Sequence, residues 1–173
     1  MRDSKSVYQQ FVDFEERAAT IYLQLASRFS NNRELSSFWL DMAMQEKQHA
    51  GLLQFCLCES LFASMLPTTS EIEALRALFD GFQNRAVEPH LTVSAAFSIA
   101  IEMEATEINS IYCHLTEPVH NAMYLLRRKI ATSLPNHVDE LIAAARKFGV
   151  EEYALAKLSR EKERCSGQWQ LQQ

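Results

Sequence analysis

Met44-Gln45-Glu46-Lys47-Gln48-His49-Ala50 is the stretch on which the reading of this chain turns. Glu46 and His49 sit at i and i+3 in a run of helix-forming residues. On an α-helix such positions share a face, so one carboxylate and one imidazole point the same way, a pairing suited to iron, manganese or zinc. Alone the pattern is weak. With 17 Glu and 5 His in 173 residues, chance supplies about half a Glu-x-x-His. A second one, Glu117-Pro118-Val119-His120, contains a proline that marks it as a helix start. The weight therefore falls on what stands at matching positions elsewhere.

Working outward, the composition predicts an all-α chain. Gly and Pro number only four each, and Ala, Leu and Glu are frequent. Hydrophobic residues make up 47% and charged residues 23%, which suits one globular domain with a real core. The expected domain covers 1–165, with 166–173 as a flexible tail. A net charge of −5 argues against nucleic-acid binding, and Arg127-Arg128-Lys129 reads as an exposed face. No apolar run is long enough for a membrane span. Met1-Arg2-Asp3-Ser4-Lys5 leads into no apolar signal region. Cys56, Cys58, Cys113 and Cys165 include no Cys-x-x-Cys pair and are expected to be reduced structural thiols in a cytoplasmic protein.

Helical periodicity over 6–29 places Val7, Phe11, Phe14, Ala18, Ile21, Tyr22 and Leu25 on one stripe. Glu15 lies on this helix beside the small Ala18 and Ala19, which leave room for a close neighbour. Ser30-Asn31-Asn32 signals a turn with Asn32 as N-cap, and a second helix is expected from about Arg33 to Met65. Ser70-x-x-Glu73 reads as a capping box opening a short helix to about Phe82. With the linker at 83–92, this section forms a crossover joining parallel helices. Thr92 caps a third long helix, from Val93 to about Leu115, carrying Glu102, Glu104 and Glu107. A fourth helical stretch, 121–148, contains Pro135, a residue that kinks or splits helices. Gly149 is its C-cap, and a last helix covers about Glu151 to Lys162.

The first helix pair looks duplicated. Asn32 lies midway between Glu15 and His49, and Asn121 lies midway between Glu104 and Val138, next to His137. Equal arms of an antiparallel hairpin bring their far ends level. Glu15 then faces Glu46 and His49, and Glu104 faces the region of His137. Carboxylates and imidazoles from four helices would meet mid-bundle. Such a gathering of buried acids is unfavourable unless cations let the carboxylates stay ionised.

Three stretches together resemble the rubrerythrin branch of the ferritin-like family: Glu15-Glu16-Arg17-Ala18…Tyr22, Gln45-Glu46-Lys47-Gln48-His49-Ala50, and Glu104-Ala105-Thr106-Glu107…Tyr112. The likeness covers roughly residues 6–148. It implies an antiparallel four-helix bundle with a crossover connection and a short C-terminal helix. It also implies a pair of bridged irons (manganese or zinc being alternatives) that reduce peroxide or O₂ or oxidise Fe(II). By the same resemblance Glu15, Glu46, His49 and Glu104 are metal ligands. Glu107 is an extra carboxylate ligand that also carries protons in catalysis, and Tyr22 and Tyr112 are hydrogen-bond donors to ligands. Haem and nucleotide are not expected. The rubredoxin-like module of many relatives is not seen, so an external electron-transfer protein is expected, as is a homodimer.

The fourth helix departs from the family pattern at Ser133-Leu134-Pro135-Asn136-His137-Val138-Asp139-Glu140. In one register His137 is a ligand and Leu134 replaces its Glu partner, which weakens one metal position. In the other, one turn along, His137 and Glu140 are both ligands. A different class of function stands beside the enzyme: a non-catalytic bundle whose metal site is partial or lost, acting as a binding or structural protein.

Overall fold

The computed structural model describes residues 4–63, 66–107, 111 and 135–170, with the side chains of 154 and 165–170 left aside. All regular structure among these residues is helical: α1 Ser4–Arg28, α2 Arg33–Glu59, α3 Thr69–Ala86, α4 Val93–Glu107, α5 over residues 135–147, and α6 Glu152–Gln170. Among the described residues no helix is long and apolar enough to cross a membrane. Tyr112, His114, His120, Asn121 and Leu134 lie outside the described residues, as does the expected end of the third helix at Leu115.

α1 buries Val7, Phe11, Phe14, Ala18, Ile21, Tyr22 and Leu25, the whole stripe expected from periodicity. Asn32 caps α2 by accepting from the Leu35 backbone N–H at 3.2 Å, which satisfies one of the donors a helix start leaves open. Across the α1/α2 turn the Ser36 hydroxyl donates to the Ala26 carbonyl at 2.8 Å. Lys47 pairs with Glu16 farther along. The two contacts fix an antiparallel hairpin in one register.

Several helix boundaries differ from expectation. α2 stops at Glu59 because Ser60 turns left-handed, at φ 55° and ψ 37°, and its N–H closes on the Cys56 and Leu57 carbonyls. The α3 cap is Thr68 rather than Ser70. Thr68 and Glu71 exchange both bonds of a capping box, and Thr68-x-x-Glu71 fits the template as well as Ser70-x-x-Glu73 does. α6 also continues to Gln170, past the expected end at Lys162 and into the stretch read as a flexible tail.

α3 lies along α1 in the same direction, with Phe14 stacked on Phe79 at 5.0 Å and Arg17 paired with Asp80. It thereby returns the chain to the end from which α2 started. α4 consequently runs in the direction of α2: Phe97 packs on Trp39, and Glu104 lies level with Glu46. Thr92 caps α4 through the Ala95 N–H. α5 runs against α2, with His137 beside Gln45 at one end and Lys147 paired with Glu34 at the other. The described part of α5 begins at Pro135, so the stretch on which the expected kink would fall lies outside the described residues. Gly149, at φ 77°, ends it in the left-handed conformation glycine tolerates. Trp39, Tyr22, Phe97, Phe38 and Phe148 stack into an aromatic layer at one end of the core.

Candidate metal centre

Among the described residues, the buried carboxylates and imidazoles are Glu15, Glu46, His49, Glu104, Glu107 and His137, each no more than 4% exposed. They come from α1, α2, α4 and α5 and form one cluster. Each reaches it for a local reason. Glu15 sits on the buried stripe of α1 beside Ala18 and Ala19, both fully buried. Glu46 and His49 share the inward face of α2, with His49 Nδ1 2.9 Å from Glu46 Oε2 and 3.7 Å from Glu15 Oε2. Glu104 and Glu107 share the inward face of α4.

Two sets of three ligand atoms lie within 4.8 Å of one another: Glu15 with Glu46 and His49, and Glu46 with Glu104 and His137. Glu46 belongs to both, offering Oε2 toward His49 and Oε1 toward His137, whose Nε2 is 2.9 Å away. His137 Nε2 also lies 2.8 Å from Glu104 Oε1. The Tyr22 hydroxyl donates to that same oxygen at 2.6 Å. Glu104 Oε2 and both Glu107 oxygens are buried without a hydrogen-bond partner.

Burial and mutual repulsion set the charge states. Burial pushes the Glu107 carboxyl well above its usual range, and Glu15, Glu46 and Glu104 push it further. Glu104 is raised by burial and by Glu46, with His137 opposing. Glu46 feels the same burial, but His137 and His49 overcome it and hold its carboxyl well below the ordinary value. His137 is the counterpart. Burial disfavours its charge, and Glu104 and Glu46 override that and raise it well above the usual histidine value. Burial, then Glu104, raises the Tyr22 phenol, so it stays a donor.

The residues fit metal ions. Carboxylate oxygens left bare in a dry interior are unfavourable, and a cation among them supplies the missing partner. The donors are oxygen-rich with one imidazole in each set, which suits iron or manganese over copper. No thiolate takes part among the described residues. Cys56 lies near Tyr8, its thiol pushed up to about 12 by burial.

The fourth helix corrects one expectation. His137 joins the cluster, but Glu140 does not. Glu140 is exposed and accepts from the Gln45 side-chain amide at 2.7 Å, because the next turn of α5 has already rotated toward the surface beside α2. The register in which His137 and Glu140 both enter the cluster therefore does not occur. Gln45 is the residue sequence reading passed over. Its carbonyl oxygen lies 2.8 Å from His137 Nδ1. The available signal was its position next to Glu46, at the edge of the inward face. Tyr112 lies outside the described residues. Compared with family models, curated proteins and solved structures, the chain matched none.

Proposed function

We propose that this chain is a ferritin-like bundle of the rubrerythrin type whose buried cluster holds two carboxylate-bridged iron ions. In this reading the protein is a non-haem oxidoreductase that reduces peroxide or O₂, or oxidises Fe(II), with electrons from an external donor. The observation that carries it is Glu46, a fully buried carboxylate common to two sets of three ligand atoms. Co-directional α2 and α4, joined through α3 between antiparallel partners, support the bundle type.

Glu15, Glu46 and His49 would hold one ion, Glu46, Glu104 and His137 the other, with Glu107 beside them. Bound iron would supply one-electron redox chemistry and Lewis acidity. The chain supplies the rest. Tyr22 orients Glu104 by donating to Oε1 and leaves Oε2 bare. The aromatic layer excludes water from one end. Glu107, whose neutral form is favoured by burial and neighbouring carboxylates, can hold a proton beside the reacting atoms and release it when nearby charge changes.

Purified chain, loaded anaerobically with Fe(II) and then exposed to peroxide, should hold about two irons and consume peroxide as the bound Fe(II) is oxidised. A chain that takes up no iron at any loading would remove the enzyme reading. The second reading, a non-catalytic bundle, is favoured by one feature. His137 Nε2 lies between Glu46 and Glu104, where a protonated imidazole offsets one of the two carboxylate charges and contacts both without metal. Zero uptake with unchanged folding would favour it.

A further inference from the structure

A polar chain leaves the cluster between α2 and α5, and it has a direction. His137 is fully buried, Glu140 is exposed, and Gln45 joins them: His137 Nδ1 lies 2.8 Å from Gln45 Oε1, and Gln45 Nε2 donates to Glu140 Oε2 at 2.7 Å. A glutamine amide can present either end, but an ionised carboxylate only accepts. Glu140 is therefore satisfied by one orientation alone, with the amide nitrogen outward and the oxygen inward. The inward oxygen also only accepts, so His137 Nδ1 must carry the hydrogen. In the metal-free chain Nε2 also carries a hydrogen, held between Glu46 and Glu104 at 2.9 and 2.8 Å. Once a cation displaces that hydrogen, the one kept on Nδ1 leaves the Nε2 lone pair facing the metal position. The reversed amide would set two acceptors against each other at Glu140. It would also turn a donor on Nδ1, placing the ring hydrogen on Nε2, in the space the second ion needs.

We infer that Glu140 and Gln45 are positioning residues that select, from the surface of the protein, which nitrogen of His137 faces the metal position. The consequence for metal rests on the function proposed above; the polarity of the hydrogen bonds does not. Glu140 thus acts on the site without touching it.

The test is Glu140→Lys. An ammonium group only donates, so it draws the Gln45 oxygen outward and reverses the amide. Asp139→Lys makes the same charge change on the adjacent exposed residue, which pairs with Lys162 rather than Gln45. Glu140→Gln retains an acceptor. Zn(II) titrated into the whole chain should bind about 10- to 100-fold more weakly to Glu140→Lys and Gln45→Leu, the usual range for losing a partner behind a ligating histidine. Asp139→Lys should stay near wild type, and Glu140→Gln should recover most of the affinity. The second readout needs no metal. With ¹⁵N-labelled histidine, the metal-free wild type should show a slowly exchanging Nδ1 proton on His137 that is lost in Glu140→Lys and kept in Asp139→Lys. Equal weakening by the two lysine variants, or an Nδ1 proton unchanged in Glu140→Lys, overturns the inference. If the wild type takes up no Zn(II), the metal reading fails separately, and the Nδ1 proton alone decides the inference.

Discussion

The two halves of the cluster are assembled by different means. Glu15, Glu46 and His49 come from one hairpin, whose register is set by the Asn32 cap, the Ser36–Ala26 bond and the Lys47–Glu16 pair. Glu104 and His137 reach Glu46 only after the chain has crossed over through α3, and side-chain bonds between distant helices, Tyr22–Glu104 and Gln45–His137, align them. The first half is local and follows from turn chemistry. The second is a tertiary product with an outer brace. Glu46 is the hinge between them, so the largest effect is expected there. Glu46→Ala should abolish uptake of both ions. In the metal-free chain it should also lower stability, by less than the cost of a wholly unpaired buried charge, about 3–5 kcal/mol, because His137 keeps Glu104 and His49 keeps Glu15. Metal analysis and denaturant unfolding check the two parts. Retention of one full ion would mean that the halves are independent.

The histidines sharpen the contrast. His49→Ala and His137→Ala should each remove one ion and leave the other, reducing iron from about two per chain to about one. In the metal-free state they should differ, because His137 lies against Glu46 and Glu104 at full burial and balances their charge. His137→Ala should therefore destabilise the metal-free chain more than His49→Ala. If both variants unfold alike without metal, the electrostatic distinction between the halves is wrong.

A pH series tests the same balance more finely. The folded pKa of Glu107 is raised, so its contribution is complete below the unfolded value of about 4.3 and is lost as pH rises through the folded value. His137 is also raised, so its contribution is complete below about 6.5 and is lost as pH rises through its folded value. Glu46 has the opposite sign. Its contribution is present above about 4.3 and is lost as pH falls through its depressed folded value. The metal-free chain should therefore weaken on the alkaline side, by at most about 1.4 kcal/mol per pH unit for each group. Glu107→Gln should flatten that limb, and metal loading should reverse it, since cations favour the ionised ligands. Melting temperatures with and without chelator across pH 5–9 would show a flat alkaline limb in the metal-free wild type if the raised values are wrong.

Sequence made the local half legible and the tertiary half only partly so. Period and capping were enough to put Glu15, Glu46 and His49 on facing helices, because helix faces and an antiparallel turn leave little freedom. The internal symmetry also brought His137 to the right level. It could not decide between the two registers of the fourth helix, because one turn of α5 separates an inward residue from one at the surface and nothing local distinguishes them. The register that makes Glu140 a ligand therefore stands open beside the other, and nothing in the sequence points to Gln45 as the residue that meets it. The same limit appears at the α2 terminus. A left-handed Ser60 has no strong sequence signature, whereas glycine at 149 announces its turn.

The smallest expected effect lies outside both halves. Thr68 and Ser70 each stand three residues before a glutamate, and the template alone does not choose between them. Thr68 is the cap observed: its hydroxyl accepts from the Glu71 N–H, and Glu71 reaches back to the Thr68 N–H at 2.6 Å. Thr68→Ala should therefore lower stability by about 1 kcal/mol, while Ser70→Ala, inside the first turn, should leave it nearly unchanged. Both should keep full metal content, because α3 joins the halves without contributing a ligand to either. Loss of metal from Thr68→Ala would mean that the crossover holds the second half in place as well as connecting it, and the division between a local and a tertiary half would then have to include the linker.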